Sequence, residues 1–265
     1  MQDMTEALQA GDYTAAYEAL QAEPEVAASP VGAAASAFLL ALVERFDEAE
    51  ALFRASNLQG FEVIIRGERQ RVARWRDPET LGAFSSIAQT ASASIYAAIA
   101  TAFAIDDEPL ARRAKAELAP HVRPIGGKIT FVDGTTHAFA SLSDADDAIG
   151  QMFEAYCGEG LLYFPFEAVR RVQLFPRDTF MDYLIPKARI TLARGDVRAY
   201  LPTLYTGSAL SPSTAVRAGK HAEFKSLGGA RHGIGQRFFR ADEAMVSLQG
   251  IAAIDFAITT DRSAV

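Results

Sequence analysis

Three stretches of this chain carry side chains able to do chemistry. The first is Asp144-Ala-Asp146-Asp147, a carboxylate run that would suit a divalent cation. It departs from the calcium-loop pattern, because Ile149 stands where the sharp-turn glycine belongs and Ala155 where the bidentate glutamate belongs. A capped helix start accounts for the run, with Ser143 as N-cap and the aspartates in a first turn where the helix dipole favours them. The second stretch, Gly228-Gly229-Ala-Arg231-His232-Gly233-Ile-Gly235-Gln236-Arg237, resembles a phosphate loop but matches neither the dinucleotide fingerprint nor the P-loop. Its glycines permit a tight chain path, and Arg231 and Arg237 are available to pair with carboxylates. The third is Arg66-Gly-Glu-Arg69-Gln-Arg71-Val-Ala-Arg74-Trp75-Arg76, with five arginines and the only tryptophan. Spread over more than one helix face, these arginines read as a solvated surface. The functional alternative is a docking patch of Arg66, Arg69, Arg71, Arg74 and Trp75 for an acidic segment.

The remaining reactive residues make no local motif. His121, His137, His221 and His232 lack His-x-His or His-Glu-x-x-His spacing, and with Cys157 alone no local zinc set can be written. No serine sits in a Gly-x-Ser-x-Gly turn. Cys157 falls at the end of the helix expected after Ser143, where the dipole disfavours a thiolate. The reading is therefore no catalytic residue, no metal and no cofactor. An undetected enzyme, hydrolase-like and with its site in the second half, is the alternative.

The elements that must position these residues divide the chain in two. Pro120-His-Val-Arg-Pro124-Ile-Gly126-Gly127 combines helix stops and turn formers, so the expectation is a helical domain over 1–124 and an α+β domain over 125–265. In the first, Tyr13, Ala16 and Leu20 echo Phe46, Ala49 and Phe53 at helical spacing. A period near 34 is the mark of tetratricopeptide-like helical hairpins, and Asp107 to Leu118 reads as a poorer third copy. Leu81 to Ile105 contains no charged residue, but its small and hydroxyl residues predict a closely packed helix rather than a membrane span.

In the second half, Ile129–Val132 and Thr135–Phe139 flank Asp133-Gly134, which suits a type I′ hairpin. The helix from Ser143 should bury Ile149, Met152, Phe153 and Tyr156 and stop at Gly158. Strands are expected at 161–164, 170–175, 188–193, 197–201 and 251–258, in a mostly antiparallel sheet with one principal helix. Gly195-Asp196 predicts a tight turn. One cysteine and an N-terminus without a basic-apolar leader fit a cytoplasmic protein. A net charge of −7 argues against nucleic acid and anionic membrane as partners.

One resemblance spans about Gly127 to Phe256. Asp144, Asp146, Glu154, Gly160, Tyr163, Pro165 and Phe166 are followed by Asp182, Pro186, Pro202, Thr203, Tyr205, Gly207, Gly233, Gly235, Gln236 and Arg237. In this order and spacing they resemble the second half of the ImpE/TagJ family. Phe164, Met181 and Leu204 depart from it, standing where the family usually has tryptophan, arginine and arginine. The resemblance implies tetratricopeptide-like helices joined to an α+β domain, without enzymatic activity. It further implies a cytoplasmic accessory role in bacterial type VI secretion, with the contractile sheath's small subunit as the expected partner and its AAA+ ATPase as a second candidate. An adaptor of the same fold serving another complex is the remaining alternative. An array of helix pairs would offer such partners a concave groove for an amphipathic helix.

Overall fold

A computed structural model describes residues 2–56, 61–76 and 91–257. Its first half pairs helices: α1 (Gln2–Gln9) with α2 (Tyr13–Gln21), α4 (Pro30–Leu42) with α5 (Phe46–Ser56), and α7 (Ala91–Ala104) with α8 (Glu108–Leu118). The short α3 (Pro24–Ala27) and the long α6 (Glu62–Arg76) lie between pairs. One chain reversal recurs in all three pairs. Gly11, Glu44 and Asp106 adopt left-handed φ of 66°, 63° and 57°. The amide after each donates five residues back, Asp12 to Ala7 O, Arg45 to Leu40 O and Asp107 to Ala102 O, at 2.8–2.9 Å. This left-handed helix stop satisfies carbonyls that the helix end would orphan. The echoing residues Tyr13, Ala16, Leu20, Ala49 and Phe53 are buried, as are Ala111, Ala114 and Leu118 of the third copy. Within the uncharged stretch, α7 buries Ile95, Tyr96, Ile99 and Ala100; residues 81–90 lie outside the described residues. Among those described, no helix is long and apolar enough to cross a membrane.

From Gly127 onward the chain is strand-rich. The strands are β1 (Gly127–Phe131), β2 (Thr136–Phe139), β3 (Leu142–Asp144), β4 (Met152–Cys157), β5 (Gly160–Pro165), β6 (Val169–Leu174), β7 (Lys187–Leu192), β8 (Gly195–Tyr200), β9 (Ala222–Leu227), β10 (Ala230–Gly235), β11 (Phe238–Ala241), β12 (Ala244–Ser247) and β13 (Ile251–Phe256). Eight form one sheet in the order β2-β1-β13-β6-β7-β8-β4-β5, antiparallel throughout. A β12-β11-β3 sheet packs on its inner face around Phe153, Phe164, Phe166, Phe239 and Ile254, and β9-β10 forms a separate hairpin.

Three expectations change here. The helix from Ser143 to Gly158 is β3, an aspartate-rich turn and β4. The run Ile149, Met152, Phe153, Tyr156 looked helical because β4 is buried on both faces, which erases period-two alternation. The aspartates favour turns over a helix: Asp144 Oδ1 accepts from Asp146 N and Asp146 Oδ1 from Ala148 N, each at 2.8 Å. No principal helix replaces it; the described helices here are α9 (Phe180–Leu184) and α10 (Thr214–Arg217). Finally, the β1–β2 turn is not type I′. Gly134 alone takes positive φ, 84°, and Phe131 N bonds Thr135 O across a three-residue loop, a type I turn closed by a glycine bulge.

The outer face of β4 and β5 is roofed by α6. Ile64 of α6, with Phe38 and Leu39 of α4, shares one apolar cluster with Tyr156, Met181, Ile185 and Leu204. The chain's own second half thus covers this apolar face of α4 and α6. Met181 and Leu204, two of the departures from the family pattern, fill this seam with apolar volume.

Candidate functional site

The landmarks scattered along the sequence converge beneath α6 in one buried polar cluster. Strand β4 aims Glu154 at the roof and β5 aims Tyr163 beside it, because both strands turn their alternate residues to α6. Tyr163 donates to Glu154 Oε1 at 2.8 Å, Arg237 Nη2 bonds Glu154 Oε2, and Arg71 Nη1 lies 3.5 Å from the same oxygen. From α6, Arg74 donates to Tyr163, and its Nη1 stands 3.9 Å from Glu154 Oε1. Arg71 also donates to Glu68 Oε1 at 2.9 Å and to Leu204 O at 2.7 Å, while Tyr156 donates to Glu68 Oε2.

The aspartate turn forms the far wall. Tyr205 donates to Asp144 Oδ1 at 2.9 Å, and Arg237 Nε lies 3.8 Å from Asp144 Oδ2. Asp146 Oδ2 meets His232 Nδ1 at 2.7 Å and accepts from Gly233 N at 3.1 Å. Asp147 is held by Lys115 at 2.8 Å, Arg240 at 2.9 Å and the amide of Arg231 at 2.9 Å. Trp75 stacks on His232, ring centroids 4.1 Å apart, with Phe103 at 5.4 Å.

Burial and charge compete across this cluster. Burial alone would raise the Glu154 carboxyl, but Arg237, then Arg71 and Arg74, outweigh it and hold it below the ordinary glutamate value. Burial wins at Asp144, pushing its carboxyl up to about 7 against the pull of Arg237. It also wins at Arg74, brought down to about 10 despite Glu154 and Asp146. At Arg71 burial opposes the charge, yet Glu68, Tyr156 and Glu154 prevail and raise its pKa. A buried guanidinium persists only beside carboxylates placed to meet it.

Among the described residues, the one arrangement with catalytic form is Asp146–His232, a carboxylate orienting an imidazole. Among the described residues no hydroxyl or thiol is hydrogen-bonded to His232, and burial pushes the Cys157 thiol up to about 11 at the end of β4 rather than of a helix. Among the described residues, no group of three histidine, cysteine or carboxylate side chains is placed to hold a metal ion. The carboxylates are engaged by internal donors, so the cluster serves cohesion: it fastens α6 to the sheet.

The structure separates the residues singled out in sequence. The arginine patch is not one surface. Arg71 and Arg74 are buried, correcting the solvated-face reading, whereas Arg66 and Arg69 are exposed and pair with Glu159 and with Asp47 and Glu50. Trp75 is partly buried against His232. Asp144, Asp146, Glu154, Tyr163, Tyr205 and Arg237 share the cluster. Phe166 belongs to the inner core, and Pro165 closes β5. Asp182 Oδ2 accepts from the Thr179 amide at 2.9 Å and begins α9. Pro186 O accepts from Leu201 N, tying the approach to β7 to the end of β8 just before Pro202. Gly207 and Gly235 take φ of 79° and 97°, and Gln236 bonds Ser247 and Gln249. Sequence reading missed Glu68, Lys115, His232 and Arg240 as members. The i, i+3 spacing of Glu68 and Arg71 was the one local signal for them.

Residues 136–255 match the profile of the family described as ImpE protein. Over the whole chain, the fold is similar to the crystal structure of protein VPA1032 from Vibrio parahaemolyticus. The TM-score is 0.79 at 14% identity, covering 96% of this chain and 97% of that one. No curated protein sequence matches the chain.

Proposed function

We propose, from the match of residues 136–255 to the ImpE family, a family associated with type VI secretion, that the chain is a non-enzymatic adaptor of that machinery. In this reading it works in the cytoplasm and binds the contractile sheath's small subunit, with the AAA+ ATPase that recycles sheath as a second candidate partner. The observation that carries the reading is the family match itself. It extends from β2 to β13 and takes in every member of the buried cluster that the sheet domain contributes. The cluster supports it in kind, since its polar groups are spent on holding helices to sheet. An adaptor needs a fixed surface rather than a reactive pocket.

The test is affinity purification of the tagged protein from its native bacterium, with mass spectrometry of what co-elutes. Recovery of the sheath small subunit or its ATPase is expected. Reproducible recovery of a different assembly, without either, would overturn the assignment to type VI secretion and leave the fold as the inherited part.

A further inference from the structure

The sheet carries its least compensated positive charge on the half that α6 leaves open. Where β6, β7 and β8 face outward, strand register fixes which side chains are neighbours. One row reads Lys128, Asp255, Arg171, Thr191, Asp196 across β1, β13, β6, β7 and β8, and it is largely self-neutralised, with Arg171 and Asp255 2.6 Å apart. The next row is not: Gln173, Arg189 and Arg198 stand side by side, with Lys187 two residues along from Arg189. All three cations are exposed. Arg198 has no ion-pair partner among the described residues, Arg189 has only Asp196 at 3.9 Å, and Lys187 pairs with Asp182 at 3.5 Å. Two arginines directly opposite on antiparallel strands destabilise a sheet. In a chain of net charge −7, this local excess is a liability in the free protein that an anionic partner would remove.

The same face has an apolar entry. A cleft of about 170 Å³ opens between α4, α6, α9 and the β7–β8 pair, with Ala34, Ile64, Met181 and Ile185 among its walls. Lys187 and Tyr200, cross-strand neighbours, line it too, so cleft and cations are continuous. Val31 at its rim is 70% exposed.

We propose that this face is a docking surface for an acidic segment of a protein partner, its carboxylates meeting Arg189 and Arg198 and one large apolar side chain entering the cleft beside Lys187 and Tyr200. A protein segment fits better than a nucleic acid or a lipid surface. The cations are few and interspersed with Asp196 and Asp255, the remaining charge of the chain repels extended polyanions, and the cleft has room for one side chain. The inference gives the adaptor reading a contact surface and rests on it only in expecting a protein occupant.

The test titrates the full chain into a fluorescein-labelled synthetic peptide of aspartates and glutamates around one central leucine, read by anisotropy at low salt. Saturable binding is expected, weakened about tenfold by the exposed double variant R189E/R198E. Weakening is also expected from V31D, and from serine in place of the peptide's leucine. R198E alone should raise Tm by turning a like-charge pair into an opposite one. Absence of binding by the unmodified chain, or equal affinity in R189E/R198E, would overturn the proposal. So would tighter binding of oligothymidine or phosphatidylglycerol vesicles than of peptide. A chain that recovers sheath components from cells yet fails here docks elsewhere, so the two failures are distinguishable.

Discussion

Replacing Glu154 by glutamine keeps the shape of the cluster and removes the charge on which it is centred. The carboxylate is 1% exposed and faces three guanidiniums, Arg237 in direct contact, Arg71 at 3.5 Å and Arg74 at 3.9 Å. Removing one partner of a buried ion pair costs about 3–5 kcal/mol, because the opposite charge stays buried without compensation. Glu68 and the aspartates still serve part of the positive charge, so about 3 kcal/mol is the expectation. In a chain of this size that is a fall in Tm of roughly 6–12 °C. Urea titration followed by circular dichroism supplies the free energy, with two comparisons. Arg69→Ala, whose partners Asp47 and Glu50 are on the surface, should cost under about 1 kcal/mol. The double variant E154Q/R237M should cost less than the sum of its singles by about 1–3 kcal/mol, since each single leaves a charge that the double does not. If E154Q lies within about 1 kcal/mol of the parent, or R69A costs as much, the cluster does not fasten the fold and the argument fails.

Two further outcomes follow from the same contacts. Asp144 has a folded pKa of about 7, above its ordinary 3.8. Its contribution is therefore fully present below the unfolded value and lost as pH rises through the folded one; the stability of the parent relative to Asp144→Asn should fall between about pH 4 and pH 7, and a rise in urea midpoints over that range would contradict it. Gly67 sits in α6 where a Cβ would come 2.4 Å from the Tyr156 ring. Alanine gains about 1 kcal/mol of helix propensity but overpacks a fully buried ring at about 1–3 kcal/mol, so Gly67→Ala should lower Tm, whereas a higher Tm would show that α6 and β4 are not so close.

Legibility in the sequence tracked whether local spacing carried the information. Helices α2, α5 and α8 were visible because each packs one face, whereas α4, buried at every position from Gly32 to Leu42, left no periodic signal. Strands β5 to β8 and β13 showed through their bounding turns and β-branched or aromatic content. Strand β4 did not, since the core beneath and α6 above demand apolar residues at every position. The aspartate run before it then imitated a helix cap. Strands β9 to β12 escaped notice because Ala222–Leu227 and its neighbours are half-exposed and short, with no continuous apolar face. The candidate site was legible as a set of landmarks, not as a cluster. That Arg71 and Arg74 are buried depends on Glu154 and Tyr163, more than 75 positions away, and no window of sequence contains both ends of such a pair.

Ion pairs at the helix–sheet seam set register rather than maximise stability. A well-packed apolar seam would be at least as stable, and part of this seam is apolar: Ile64, Tyr156, Met181, Ile185 and Leu204. Apolar contact alone tolerates sliding. A shift of α6 by one turn, about 5.4 Å, would carry Arg71 away from Leu204 O and Glu154, and Arg74 away from Tyr163, leaving buried charges without partners. The cluster thus selects one placement of α6 on β4 and β5. That placement forms the cleft between α4, α6 and the β7–β8 pair, because Ile64 and Phe61 belong to the helical side of it and Tyr200 to the sheet. The buried charges and the open basic face are therefore coupled through geometry. The first holds the roof at one position, and the second is shaped by where the roof stops.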